Sequence, residues 1–268
     1  MARVKGIIQV TGSLKGVSIY TMRGSDEVIM RTKGGPSKNT IKTRESCKPL
    51  RDNGREWGGC TKAASGIRRA LGEMTRLADY NLSGALNAVC KKIQCTDVEG
   101  EKGQRPILIH ANRKYLTDFQ FNKKYPFNQV VRIQPAWEID RQQQSAVVHI
   151  PDFDPEQHLT QPNKLPLMRW VINLGITTDV RMDEPGKTYF AENEVLLGFH
   201  REVHTAWTPV KRPQAAQTLQ TSIEDITDYL TGNETFVLSI GLEFGTIGMD
   251  GEGEAVKYSG CGKILAAE

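Results

Sequence analysis

Phe236-Val237-Leu238-Ser239-Ile240-Gly241-Leu242-Glu243-Phe244-Gly245 sets a large apolar side chain at every second position. Successive side chains of a strand point to opposite faces. Phe236, Leu238, Ile240, Leu242 and Phe244 therefore share one face, and Val237, Ser239, Gly241, Glu243 and Gly245 the other. The alternation predicts a strand over 235–248. Asp250-Gly251-Glu252-Gly253 then turns the chain back as a hairpin into Val256-Lys257-Tyr258.

Working outward, further strands are predicted over 106–110, 129–139, 145–151, 168–178, 195–209 and 255–266, separated by turn-rich stretches such as Asp140-Arg141-Gln142-Gln143-Gln144. A short helix is expected over 222–230. No βαβ alternation or internal repeat interrupts this pattern. The reading is an antiparallel β-sandwich or jelly-roll-like domain over residues 104–268. Glu99-Gly100-Glu101-Lys102-Gly103 is the expected boundary.

Residues 1–103 read differently. Gly6–Thr11, Val17–Met22 and Val28–Lys33 are short β-rich runs set off by Gly, Ser and Asp, as in a β-meander. Three such strands hold too few large apolar residues for a core of their own. A helical arm follows a polar connector. Trp57, Cys60, Ala64, Ile67, Leu71, Met74 and Ala78 recur at alternating spacings of three and four, an apolar stripe suited to packing within the chain or on a neighbouring helix. Ser83 is the expected cap of a second helix over 85–93. The fold class is thus mainly β with an α-helical segment: an N-terminal β-meander and helical arm, then an antiparallel β-sandwich.

Gly12-Ser13-Leu14-Lys15-Gly16-Val17-Ser18-Ile19-Tyr20, Arg31-Thr32-Lys33-Gly34-Gly35, Glu56-Trp57-Gly58 and Ile67-Arg68-Arg69 carry a resemblance over the first 75 residues or so. In them the chain resembles an uncharacterised protein family of Bacteroidetes bacteria. The resemblance implies a bacterial host and no activity.

Charge is distributed unevenly along the 268 residues. Residues 1–132 hold 25 Lys+Arg against 11 Asp+Glu, and residues 133–268 hold 10 against 20, within an overall charge of +4. Such asymmetry suits a polyanion partner or head-to-tail association of copies. The candidate contacts are Arg23, Arg31, Lys33, Lys38, Lys42, Arg44, Lys48, Arg51 and Arg55. Tyr20 and Trp57 are the only aromatics from 20 to 57, too few for a single-strand stacking platform.

No pattern of catalytic chemistry emerges. Ser259-Gly260-Cys261-Gly262-Lys263 lacks the first glycine and the final Ser/Thr of a phosphate loop and reads as a glycine bulge. His200 and His204 have Arg201 where a zinc-protease motif needs Glu, and no third ligand lies nearby in sequence. Asp152, Asp154 and Glu156, like Asp250, Glu252 and Glu254, read as solvated turns lacking the remaining parts of a calcium loop. The five cysteines form no CxxC pair and fit a reducing compartment. No apolar run reaches the roughly 18–20 residues of a membrane span, and the start of the chain lacks the apolar stretch of a secretion signal. The expectation is a cytoplasmic, non-enzymatic structural protein without cofactor or metal that forms a homo-oligomer, or else a sequence-independent nucleic-acid binder.

Overall fold

The computed structural model describes residues 2–4, 11–21, 28–32, 34–161, 163–183, 188–224 and 226–268. The chain divides into two compact units, Met1–Arg51 and Asp52–Glu268. The predicted boundary stretch at 99–103 lies inside the second unit. Among the described residues no helix is long and apolar enough to cross a membrane.

The first unit holds β1 (Ala2–Val4), β2 (Gly12–Leu14), β3 (Val17–Thr21), β4 (Val28–Thr32) and the short helix α1 (Lys38–Thr43). The strands form an antiparallel sheet in the order β1-β4-β3-β2. β3 and β4 are the second and third strands of the expected meander; the first, predicted from residue 6 to 11, lies almost wholly outside the described residues, and β1 and β2 flank the pair. Helix α2 (Lys48–Ala70) carries the chain into the second unit.

That unit continues with α3 (Leu82–Gln94), α4 (Phe127–Val130), β5 (Ala136–Asp140), β6 (Ser145–Ile150), α5 (Pro155–His158), β7 (Leu167–Thr177), β8 (Val180–Asp183), β9 (Thr188–Ala191), β10 (His200–His204), β11 (Thr208–Pro209), β12 (Gln217–Ser222), β13 (Thr235–Ile247), β14 (Gly253–Ala255) and β15 (Cys261–Ala267). The long strands β7 and β13 pair antiparallel from Thr177–Thr235 to Leu167–Gly245. β10 and β11 flank β7, while β14 and β15 flank β13. A smaller sheet has the order β12-β6-β5.

The alternation in β13 sorts as its period requires. Phe236, Leu238, Ile240, Leu242 and Phe244 share a core with Trp170, Ile172, Leu174 and Ile176 of β7 and with Ile139, Val148, Ile150 and Leu219 of the smaller sheet. Trp170 meets Phe153 edge-on at 5.9 Å between ring centres. This is the sandwich. The opposite face of the large sheet is covered as well: Val171, Val237 and Ile264 pack with Ile67, Leu71, Met74, Leu77, Leu86 and Ile93. The helical segment expected as an arm is therefore a third layer.

Small residues let that layer approach. Asn173 Nδ2 donates to the carbonyl of Ala70 at 2.9 Å. At Gly175 a Cβ would lie 1.9 Å from the same carbonyl oxygen, so only glycine fits. Helix α2 stops at Ala70, and Gly72 turns the chain with φ +54. A 3-10 helix over Gly72–Leu77, burying Met74 and Leu77, follows.

Other expectations shift for local reasons. The strand predicted over 129–139 becomes α4 followed by β5, because Pro135 supplies no N–H to a ladder just before Ala136. The 106–110 strand reduces to a bridge between Ile107 and Val180 before a 3-10 turn over His110–Tyr115. The 195–209 run splits into β10 and β11. Instead of a helix over 222–230 there is the end of β12 and a 3-10 turn over Thr227–Tyr229. Asn81, rather than Ser83, caps α3, accepting from the Ser83 N–H at 3.0 Å. The bulge in β15 is at Leu265 and not in the glycine-rich run: Leu238 pairs with Ala266 and Ser239 with Ile264.

Replacing Gly175 by Ala should force α2 from the sheet and lower stability by about 1–3 kcal/mol, the usual range for overpacking a core. Denaturant unfolding checks this. An unchanged midpoint would show that the two backbones are not held together.

Candidate functional site

The first unit concentrates positive charge. Residues 1–51 contain 11 Lys+Arg and 3 Asp+Glu, and residues 52–268 contain 24 and 28. Arg31 on β4 is exposed, its guanidinium carbon 5.4 Å from the Tyr20 ring centre. Lys38 and Lys42 on α1, Arg44 at its C-terminal end and Lys48 at the start of α2 are also exposed. Among the described residues these five have no carboxylate within salt-bridge distance. Arg23 and Lys33 lie outside the described residues.

The remaining two candidates are engaged. Arg51 donates to the carbonyls of Ile41 at 2.7 Å and Arg44 at 2.8 Å, and lies 3.9 Å from the Glu45 carboxylate. It fastens α2 to the end of α1. Arg55 belongs to the second unit and pairs with Asp52, one turn earlier on the same helix. Arg31, Lys38, Lys42, Arg44 and Lys48 are left as cations able to meet an outside anion.

The helix stripe is not available for a second copy. Cys60, Ala64, Ile67, Leu71, Met74 and Ala78 are buried in the second unit's own core, and only Trp57 stays half exposed.

Two buried ion clusters escaped sequence reading. Glu56, with no exposed side-chain surface, accepts two bonds from Arg105 at 2.8 Å, one from Lys91 at 2.9 Å and one from the Gly103 N–H at 2.9 Å. It thereby ties α2 to α3 and to the 103–105 loop. Burial alone would raise its pKa; the bonds from Arg105, Lys91 and Gly103 outweigh that and lower it to about 2. Glu243 of β13 accepts from Arg76 and Arg169, each at 2.6 Å, and Arg76 also grips Glu202 of β10 through two bonds. The one available signal was an acid at a position whose sequence neighbours are core: Glu56 beside the apolar stripe and Glu243 inside the alternating strand. Both carboxylates are fully committed to holding elements together and offer no base to a substrate.

The other singled-out groups have structural partners. Asp154 caps α5 by accepting from the Glu156 N–H at 3.0 Å. Asp250 accepts from the Glu252 N–H at 3.1 Å and closes its hairpin. Ser259 donates to the Phe244 carbonyl at 3.0 Å. His200 and His204 are exposed on β10, and among the described residues no three His, Cys, Asp or Glu side chains form a metal-binding group. Burial pushes the Cys60 thiol up to about 11 and raises those of Cys90 and Cys261 as well. All three stay protonated at neutral pH, unlike an activated nucleophile.

Compared with family models, curated proteins and solved structures, the chain matches none.

Because folding depresses the Glu56 pKa, its contribution to stability is present above the unfolded value near 4.5 and is lost as pH falls through about 2. Wild type should therefore lose stability relative to Glu56→Gln between those limits, and the gap between the two should be constant above pH ~5. Parallel urea titrations across that range measure it; a gap independent of pH would refute the assignment. At pH 7 Arg105→Met should cost about 3 kcal/mol, since it leaves a buried carboxylate short of partners.

Proposed function

We propose that this chain is a non-enzymatic structural protein that self-associates, the basic N-terminal unit of one copy meeting acidic surface on the second unit of another. One observation carries the reading. Among the described hydrophobic residues of Met1–Arg51 only Val28 and Ile29 are buried, whereas the second unit completes two cores. A sheet of three- to five-residue strands with exposed Leu14 and Met30 needs a partner surface. Its outer strands β1 and β2 are open edges within the described sheet. The excess of acid over base in residues 52–268 supplies a complementary field, with Asp152 before α5 and Glu156 in its first turn both exposed. Contact between two different surfaces closes into a ring or runs on as a filament.

A sequence-independent nucleic-acid binder is the second reading. The exposed cations Arg31, Lys38, Lys42, Arg44 and Lys48, unpaired among the described residues, favour it. In either case the bacterial cytoplasm suits the five free cysteines and the N-terminal resemblance to the Bacteroidetes family.

Sedimentation velocity at low and high salt tests the proposal. The full chain should form species larger than one 29.9 kDa chain that dissociate as salt rises. Combined Arg31→Glu, Lys38→Glu, Lys42→Glu and Arg44→Glu should abolish them without unfolding the second unit. A single species of chain mass at all concentrations and salts would sink the self-association reading. Co-purifying nucleic acid, with log affinity falling about 0.9 per phosphate contact against log salt, would favour the second.

A further inference from the structure

A cleft of about 540 Å³ opens on the second unit beside β5 and β15. Its size falls within the roughly 300–1,000 Å³ of small-molecule sites. Neither ion cluster contributes to it, nor does any of the candidate basic residues of the first unit.

One side of the cleft carries aromatic and aliphatic side chains. Trp137 stands on β5, an edge strand whose described partner is β6 alone, and keeps 40 % of its surface exposed. Phe127 and Ile133 line the cleft with it. Of the other three tryptophans, Trp57 is half exposed on α2 and does not line the cleft, Trp170 is buried in the sandwich, and Trp207 lies under the Arg169 guanidinium, 4.5 Å from its ring centre. An exposed indole lining a cleft is a face for a ring to stack on.

The polar side is cationic. Lys263 projects from β15 with 14 % of its side chain exposed, its Nζ 2.7 Å from Asp118 Oδ1 and 5.7 Å from the Phe127 ring centre. Asp118 is held in place: its backbone has φ 62, and its N–H donates to the Ile264 carbonyl at 2.9 Å. An aspartate tolerates that left-handed conformation better than most residues, so the acid is fixed where it orients the ammonium. Arg132 is exposed at the cleft, with one bond to Thr160 Oγ1 at 3.2 Å and, among the described residues, no carboxylate partner. Two cations thus face one anion already spent on Lys263.

We propose that this cleft binds a small organic anion built on a flat ring, the ring lying on Trp137 and the carboxylate or phosphate held by Arg132 and Lys263. The anion is placed by charge-assisted bonds in a partly enclosed site, and the ring displaces water from the apolar wall. A neutral ring would leave Arg132 unanswered. A bare anion would leave the tryptophan face wet. A second copy's basic N-terminal unit is a poor occupant, because the cleft itself is net positive. The inference is independent of the self-association reading, since no residue is shared.

Calorimetry and amide NMR on the full chain test it with five probes: naphthoate, adenosine monophosphate, a neutral naphthyl alcohol, acetate and inorganic phosphate. The expected result is binding of one or both ring anions at least about tenfold tighter than of the neutral ring or the bare anions. Naphthoate alone points to an aryl carboxylate, and adenosine monophosphate alone to a heteroaryl phosphate. Binding should shift the Trp137 indole N–H and the Arg132 amide in the unmodified protein. Trp137→Ala and Arg132→Ala, both at exposed positions, should each weaken it about tenfold while the melting temperature holds. The proposal is overturned if neither ring anion binds at about 10 mM. Equal binding of the neutral ring, shifts elsewhere than the cleft, or unchanged affinity in both variants would overturn it too.

Discussion

Where the end of α2 crosses β7, the Ala70 carbonyl lies against Gly175 with no side chain between the two backbones. Asn173 bonds the same carbonyl. This approach places the helical layer, and the layer in turn buries the second face of the β7–β13 pair. Leu71 packs against the sheet just past the end of the helix, and Gly72, with φ +54, turns the chain so that Met74 and Leu77 join the same core. A side chain at 175 would separate the layers and expose both.

Buried carboxylates then fix which elements meet. Glu56 joins α2, α3 and the 103–105 loop; Glu243 and Glu202 hold Arg76 against the sheet. Buried ion pairs add little net stability over apolar packing, but a lost partner is costly, so they penalise any other arrangement of the layers. They also remove acidic and basic groups of the second unit from the surface. Among the described residues of the first unit, Arg51 is tied to the carbonyls of Ile41 and Arg44, whereas Arg31, Lys38, Lys42, Arg44 and Lys48, with Leu14 and Met30, are exposed. These five exposed cations, without a carboxylate partner among the described residues, are the physical basis of the association proposed for it.

Much of this architecture was legible as local pattern. The period-two alternation of 236–245 marked β13, the run at 168–178 marked β7, and the three–four spacing from Trp57 to Ala78 marked a helical face. The β8–β9 hairpin and β12 were not legible. In Gln217-Thr218-Leu219-Gln220-Thr221-Ser222 only Leu219 is apolar, so alternation left no trace, yet Leu219 and Thr221 are the two buried positions. The basic candidates were visible one by one, but the difference between Arg51 and Lys48 was not, because it depends on carbonyls seven and ten residues away. The cleft residues carry no motif, being spread from Asp118 to Lys263.

By itself the sequence determined the β-rich class, the two faces of its longest strand, the helical stripe and the uneven charge, since each is set by spacing or composition along the chain. Only the tertiary structure decided that the stripe covers the chain's own sheet, that Glu56 and Glu243 are buried and paired, and that Trp137, Arg132 and Lys263 share one cleft. Those outcomes depend on which distant segments touch, and a one-dimensional pattern records what a side chain prefers but not which partner reaches it.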